Sequence, residues 1–96
     1  MRYRLSVPVL CRWKDETGGR CLCKGFTRDI STQSVFVYCS ELPAIGTTVR
    51  MEFMFPPLEE NSSELRLRSV GQVVRLENNG HGTGFAAVNE FTRFER

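Results

Sequence analysis

Thr47-Thr48-Val49-Arg50-Met51-Glu52-Phe53-Met54-Phe55 is the most regular stretch of the chain. Thr47, Val49, Met51, Phe53 and Phe55 alternate with Thr48, Arg50, Glu52 and Met54. A period of two describes a strand with one face in a core and one in water. Pro56-Pro57 ends it, because proline has no N–H for a ladder. Upstream, residues 5–14 alternate in the same way: Leu5, Val7, Val9, Cys11 and Trp13 against Ser6, Pro8, Leu10, Arg12 and Lys14. Pro8 marks an edge position or a bulge. Asp15-Glu16-Thr17-Gly18-Gly19 reads as a turn, and residues 20–28 as a second strand paired with the first in a hairpin.

Alternation breaks at Arg28-Asp29-Ile30-Ser31-Thr32-Gln33-Ser34, whose small polar residues bond their own backbone and favour a turn. Val35 to Cys39, β-branched and aromatic, is a third strand. Residues 41–46, with Pro43 and Gly46, form a loop before the strand at Thr47. The polar segment from Leu58 to Glu64 reads as a mobile excursion. Residues 65–77 form a long strand: Leu65 and Leu67 share one parity and Val70, Val74 and Leu76 the other, and this switch near Ser69 predicts a bulge or a strand that bends around a barrel corner. Asn78-Asn79-Gly80 is a hairpin turn signal, and Thr83 to Val88 is the last strand. The tail Phe91-Thr92-Arg93-Phe94 is too short to classify and could begin a helix. No window has the pattern of a useful amphipathic helix. Six short antiparallel strands with little helix predict an all-β small closed barrel, a single domain over residues 1–96.

The chain is 41 % hydrophobic and 25 % charged, ordinary for a folded domain of 96 residues. No apolar run reaches the roughly 18 residues of a membrane helix, and no signal peptide stands at the start. The expectation is a cytoplasmic domain, or a domain of a longer cytoplasmic chain, with no membrane insertion. A net charge of +2 does not predict binding to a nucleic acid polymer. Of thirteen basic residues only Lys14 and Lys24 are lysine; the rest are arginines, whose planar fork grips phosphates and guanine edges. Cys11, Cys21, Cys23 and Cys39 read as packed free thiols. A zinc site is the alternative, but the lone C-x-C is an uncommon ligand spacing. Nucleotide-loop, nucleophile-elbow and metalloprotease motifs are missing, and His81, the only histidine, falls in a predicted turn. The reading is a binding module, with no enzyme activity, cofactor or metal.

The residues that could build a binding site are Arg2 and Arg4 near the start and Asp29 with Ser31 at the turn. A carboxylate accepts from the N1–H and exocyclic amine of a guanine; an arginine fork donates to guanine or phosphate; a hydroxyl and turn amides complete a phosphate contact. The alternative is that Asp29 and Ser31 merely form an Asx or Ser turn at a strand end.

The order of motifs resembles the PilZ domain, the bacterial receptor module for cyclic di-GMP, over essentially the whole chain. An arginine-led start runs into Arg2-Tyr3-Arg4-Leu5-Ser6-Val7-Pro8-Val9. The signature D-x-S-x-x-G turn corresponds to Asp29-Ile30-Ser31-Thr32-Gln33-Ser34, with Ser34 at the final glycine. Leu42-Pro43 with Gly46, Val70-Gly71-Gln72-Val73-Val74-Arg75 and Gly84-Phe85-Ala86-Ala87-Val88 resemble the segments that follow. The resemblance implies a six-stranded barrel, commonly followed by a C-terminal helix. It also implies a cyclic di-GMP site in which Asp29 accepts from a guanine edge and Ser31 contacts the ligand by its hydroxyl. Arg2 best matches the second arginine of the family's R-x-x-x-R arm; Arg4 is not at the spacing of the first arginine and would take its part only through a flexible arm. Such a receptor regulates an output domain or partner protein. The other expectation is a degenerate PilZ-like module that binds no dinucleotide and docks onto a protein, through an apolar end near Phe53, Phe55 and Phe91, the alternative being that these aromatics, Phe53 and Phe55 above all, simply fill the core.

Overall fold

The computed structural model describes residues 4–57 and 64–95, with side chains through residue 89. Its strands are β1 (Pro8–Lys14), β2 (Arg20–Ile30), β3 (Ser34–Tyr38), β4 (Thr48–Phe55), β5 (Leu65–Asn79) and β6 (Gly82–Glu95). They close in the order β1-β2-β3-β6-β5-β4, with every neighbouring pair antiparallel. The all-β barrel of six antiparallel strands is as the periodicity predicts, and no helix occurs among the described residues.

Alternation fills the barrel. Val9, Cys11 and Trp13 of β1, Val35 and Val37 of β3, Val49, Met51 and Phe53 of β4, and Phe85 and Ala87 of β6 pack into one buried cluster. Burying a Val, Leu or Phe side chain contributes roughly 1.5–3 kcal/mol, so this shared interior is the main force closing the sheet. The β1–β2 hairpin turns at residues 15–19. There Asp15 Oδ1 accepts from the N–H and hydroxyl of Thr17 and the N–H of Gly19 at 2.7–2.9 Å. In the β5–β6 hairpin Asn79 pairs with Gly82, so Gly80-His81 is the two-residue turn. Asn79 Oδ1 accepts from the His81 N–H at 2.8 Å.

Several elements differ from the sequence reading. The β1 ladder starts at Pro8, and Leu5–Val7 are fastened by Thr27 instead. The Val7 N–H donates to Thr27 Oγ1 at 3.0 Å, the Thr27 N–H donates to the Val7 carbonyl at 3.0 Å, and the Thr27 hydroxyl donates to the Leu5 carbonyl. In β5 Leu67, Ser69, Gly71 and Val73 are buried, and the parity switches at Val74, later than expected: the ladder skips Val74, Arg75 turns outward, and Leu76 pairs with the core residue Phe85. Ser69 can be buried because its hydroxyl donates to Asn89 Oδ1 at 2.9 Å. The irregularities fall between Val70 and Gly71 and between Val73 and Arg75. Residues 91–94 continue β6, where a helix could have begun. Most of the excursion expected from Leu58 to Glu64 lies outside the described residues.

The cysteines also differ. Cys23 and Cys39 are joined by a disulfide, with Cα atoms 6.3 Å apart, and only Cys11 and Cys21 are free thiols. Pairing of β2 with β3 carries Cys23 and Cys39 to the same side of the sheet. Gly25 between them removes an obstacle: a Cβ there would strike the Tyr38 carbonyl and approach Cys39 Sγ to 3.2 Å. No metal-ligating cluster occurs among the described residues.

Candidate functional site at the β2–β3 turn

The site grows from a bulge. Along β2, Cys23, Gly25 and Thr27 face inward. Thr27 pairs with Val37 and Asp29 with Phe36, leaving Arg28 as an extra residue in the ladder. The extra residue resets the parity. Ile30 packs against the core, and Asp29 joins Phe36 on the outer side of the sheet, where both side chains are largely covered (Asp29 7 %, Phe36 1 % exposed). Without the bulge, Arg28 and Asp29 would point to opposite faces. With it, Arg28 Nε donates to Asp29 Oδ2 at 2.9 Å.

Phe36 is 1 % exposed although it lies outside the core cluster. It is covered from above: the Arg28 guanidinium lies 3.9 Å from its ring centroid, Arg75 lies 6.0 Å away, and Tyr38 meets it edge-on at 5.2 Å. Below it the barrel wall is thin. A Cβ on Gly84 would come within 2.6 Å of the Phe36 ring and 2.5 Å of the Val37 carbonyl, so only glycine lets the ring lie down there. Arg75 follows the second bulge, in β5, and pairs with Ala86, which itself pairs with Phe36. Each guanidinium is therefore delivered beside or by a bulge. Glu77 links the two, accepting from Arg28 Nη1 at 3.4 Å and from Arg75 Nη2 at 2.8 Å. The Asp29 hydrogen bond, assisted by Tyr38 and Glu77, raises the Arg28 pKa above its ordinary value.

Ser31 and Ser34 close the turn on themselves. The Ser31 N–H donates to the Ser34 carbonyl at 2.8 Å, and Ser31 Oγ accepts from the N–H groups of Gln33 and Ser34 at 3.2 and 3.0 Å. The two hydroxyls are 3.3 Å apart. Ser34 starts β3, and no non-glycine residue among those described has a positive φ, so serine at this position carries no backbone strain. Arg4 is exposed and sits one residue before Leu5, whose carbonyl the Thr27 hydroxyl holds, which roots the arm beside the β2 bulge. Arg2 lies outside the described residues.

The structure thus brings Asp29, Ser31 and Ser34 onto one hairpin. It adds Arg28, Phe36, Tyr38, Arg75 and Glu77, none of which the sequence reading singled out. The available signal was Arg28-Asp29, two charged residues in succession where a strand should alternate. With its lower face on Phe36 and about a third of its side chain exposed, Arg28 offers a flat upper face on which a planar base can stack. The chain matches no protein-family model, no curated protein and no solved structure.

Proposed function

We propose that this domain is a PilZ-type receptor for cyclic di-GMP, a bacterial cytoplasmic binding module without enzyme activity. The observation that carries the reading is the β2 bulge, which turns Arg28 and Asp29 to the same outer face beside the root of the arginine arm. On this reading one guanine stacks on the Arg28 plane, the Asp29 carboxylate receives its N1–H edge, and Arg4 and Arg2 neutralise phosphate. Ser31 shapes the turn, since its hydroxyl already serves the backbone of Gln33 and Ser34. The test is calorimetric titration with cyclic di-GMP. Saturable micromolar binding is expected, and Asp29→Ala, Arg28→Ala and Arg4→Ala should each weaken it by about 1–3 kcal/mol. Unchanged affinity in all three variants would exclude the site.

A second reading is a PilZ-like module that docks a protein without the dinucleotide. It is favoured by Leu22 and Phe26 on the outer face of β2, which are 52 % and 56 % exposed. Phe53 is buried in the core and Phe55 packs against it, so they do not supply such a surface, and the Phe91 side chain lies outside the described residues. Absence of cyclic di-GMP binding, with capture of a host protein that Phe26→Ser abolishes, is the outcome this reading expects.

A further inference from the structure

At the opposite end of β2 from Asp29, about 30 Å along the strand, the barrel carries an arrangement that the proposed receptor does not use. Arg12 of β1 pairs directly with Arg50 of β4, and Lys14 of β1 pairs directly with Arg20 of β2. All are exposed. Like charges directly opposite each other across a ladder destabilise a sheet, and here two such pairs lie side by side. None of these cations has an ion-pair partner among the described residues. They line one cleft of about 1340 Å³, walled on its apolar side by Leu22 and Leu42. Three carboxylates share the lining. Asp15 is turned into its own turn by hydrogen bonds to Thr17 and Gly19, and Glu16 and Glu41 contact none of the cations.

We infer that this cleft is a binding site for a phosphate-rich anion, a linear di- or triphosphate group. Cross-strand neighbours stand about 5 Å apart and alternate residues of one strand about 7 Å apart, so the array spans adjacent phosphoryl groups rather than a single one. An anion bound there turns two repulsive pairs into bridged ones, and arginine forks are suited to phosphate oxygens. The phosphates could come from a free polyphosphate or from a lipid headgroup, and the test separates these sources.

Inorganic triphosphate is titrated into the whole chain at low salt, alongside co-sedimentation with phosphatidylcholine vesicles containing a lipid diphosphate, diacylglycerol pyrophosphate. Binding of triphosphate, weakened about tenfold by Arg12→Gln or Arg50→Gln and by added salt, is expected and identifies a soluble ligand. Vesicle binding with the same sensitivity, and none of triphosphate, assigns the site to a headgroup. Asp29→Ala should leave either interaction unchanged, which separates this cleft from the cyclic di-GMP site. Without any anion, Arg12→Gln should raise the melting temperature by roughly 1–5 °C, because it removes a repulsive pair. No binding of either probe, or binding indifferent to both substitutions, overturns the inference. So does a melting temperature that falls in Arg12→Gln.

Discussion

Thr27→Val tests whether one hydroxyl moors the N-terminal segment to the barrel. Valine has nearly the shape of threonine, so the inward position on β2 remains filled. What disappears is the acceptor for the Val7 N–H at 3.0 Å and the donor to the Leu5 carbonyl. Val7 is buried, and its amide has no substitute partner; leaving such a group unsatisfied costs about 1–3 kcal/mol. The Leu5 carbonyl belongs to an exposed residue and can turn to water at little net cost. The extra buried methyl returns about 0.8 kcal/mol, leaving a net loss of up to about 2 kcal/mol. For a domain of this size each kcal/mol moves the midpoint by about 4–8 °C, so the melting temperature should fall by up to roughly 15 °C. Amide hydrogen exchange gives the sharper readout. The Val7 amide should lose its protection in Thr27→Val and keep it in Thr27→Ser, which retains the hydroxyl while losing a methyl. An unaltered Val7 protection factor in Thr27→Val would refute the mooring. If the domain is the proposed receptor, the same variant should weaken cyclic di-GMP binding through the loosened N-terminal segment, although Thr27 itself is too buried to touch a ligand.

Alkylation should distinguish the two free thiols. Burial pushes Cys11 up to about 12, so mass spectrometry after mild iodoacetamide treatment should find Cys21 modified and Cys11 intact until the protein is denatured. Asp15 is held below its ordinary value of 3.8 by the Thr17 hydroxyl first and then by the Gly19 N–H. A depressed folded pKa contributes stability above the ordinary value that is lost as pH falls through the folded one. Asp15→Asn should therefore flatten the acid limb of a urea-midpoint profile below about pH 4 and leave its neutral shape unchanged. Gly84→Ala should destabilise by about 1–3 kcal/mol through overpacking, with the aromatic near-UV dichroism of Phe36 and Tyr38 altered; a wild-type spectrum and midpoint would mean that the ring is not seated on the glycine.

Most of the architecture was legible because alternation is a direct consequence of a half-buried strand. Val49, Met51 and Phe53, or Val9, Cys11 and Trp13, could be assigned to the interior from spacing alone, and both are there. The reading failed where inward positions are not hydrophobic. Ser69 and Gly71 occupy such positions in β5, so counting apolar residues put the switch of parity near Ser69, whereas it falls at Val74. The candidate site was half legible. Asp29 and Ser31 carry turn chemistry that any local reading detects. Arg28, Phe36 and Arg75 come together only through two bulges and a β3–β6–β5 ladder that is distant in sequence. The Cys23–Cys39 pairing was hidden for the same reason, since it depends on cross-strand placement and on the empty space at Gly25.

The bulge at Arg28 also separates two requirements that usually compete at one position. Arg28 is the residue that the β2–β3 ladder does not count. A chain with that residue deleted would have Thr27 and Asp29 as consecutive members of a regular ladder. Thr27 would still face inward, Asp29 would still stand opposite Phe36, and Ile30 would still reach the core. In evolutionary terms the position behaves as an insertion that the sheet tolerates rather than a substitution that it must accommodate. A cation could be gained or lost above Phe36 without renegotiating the barrel's interior. The fold can thereby keep its hydrophobic pattern constant while the chemistry of its outer face is edited by the presence or absence of a single residue.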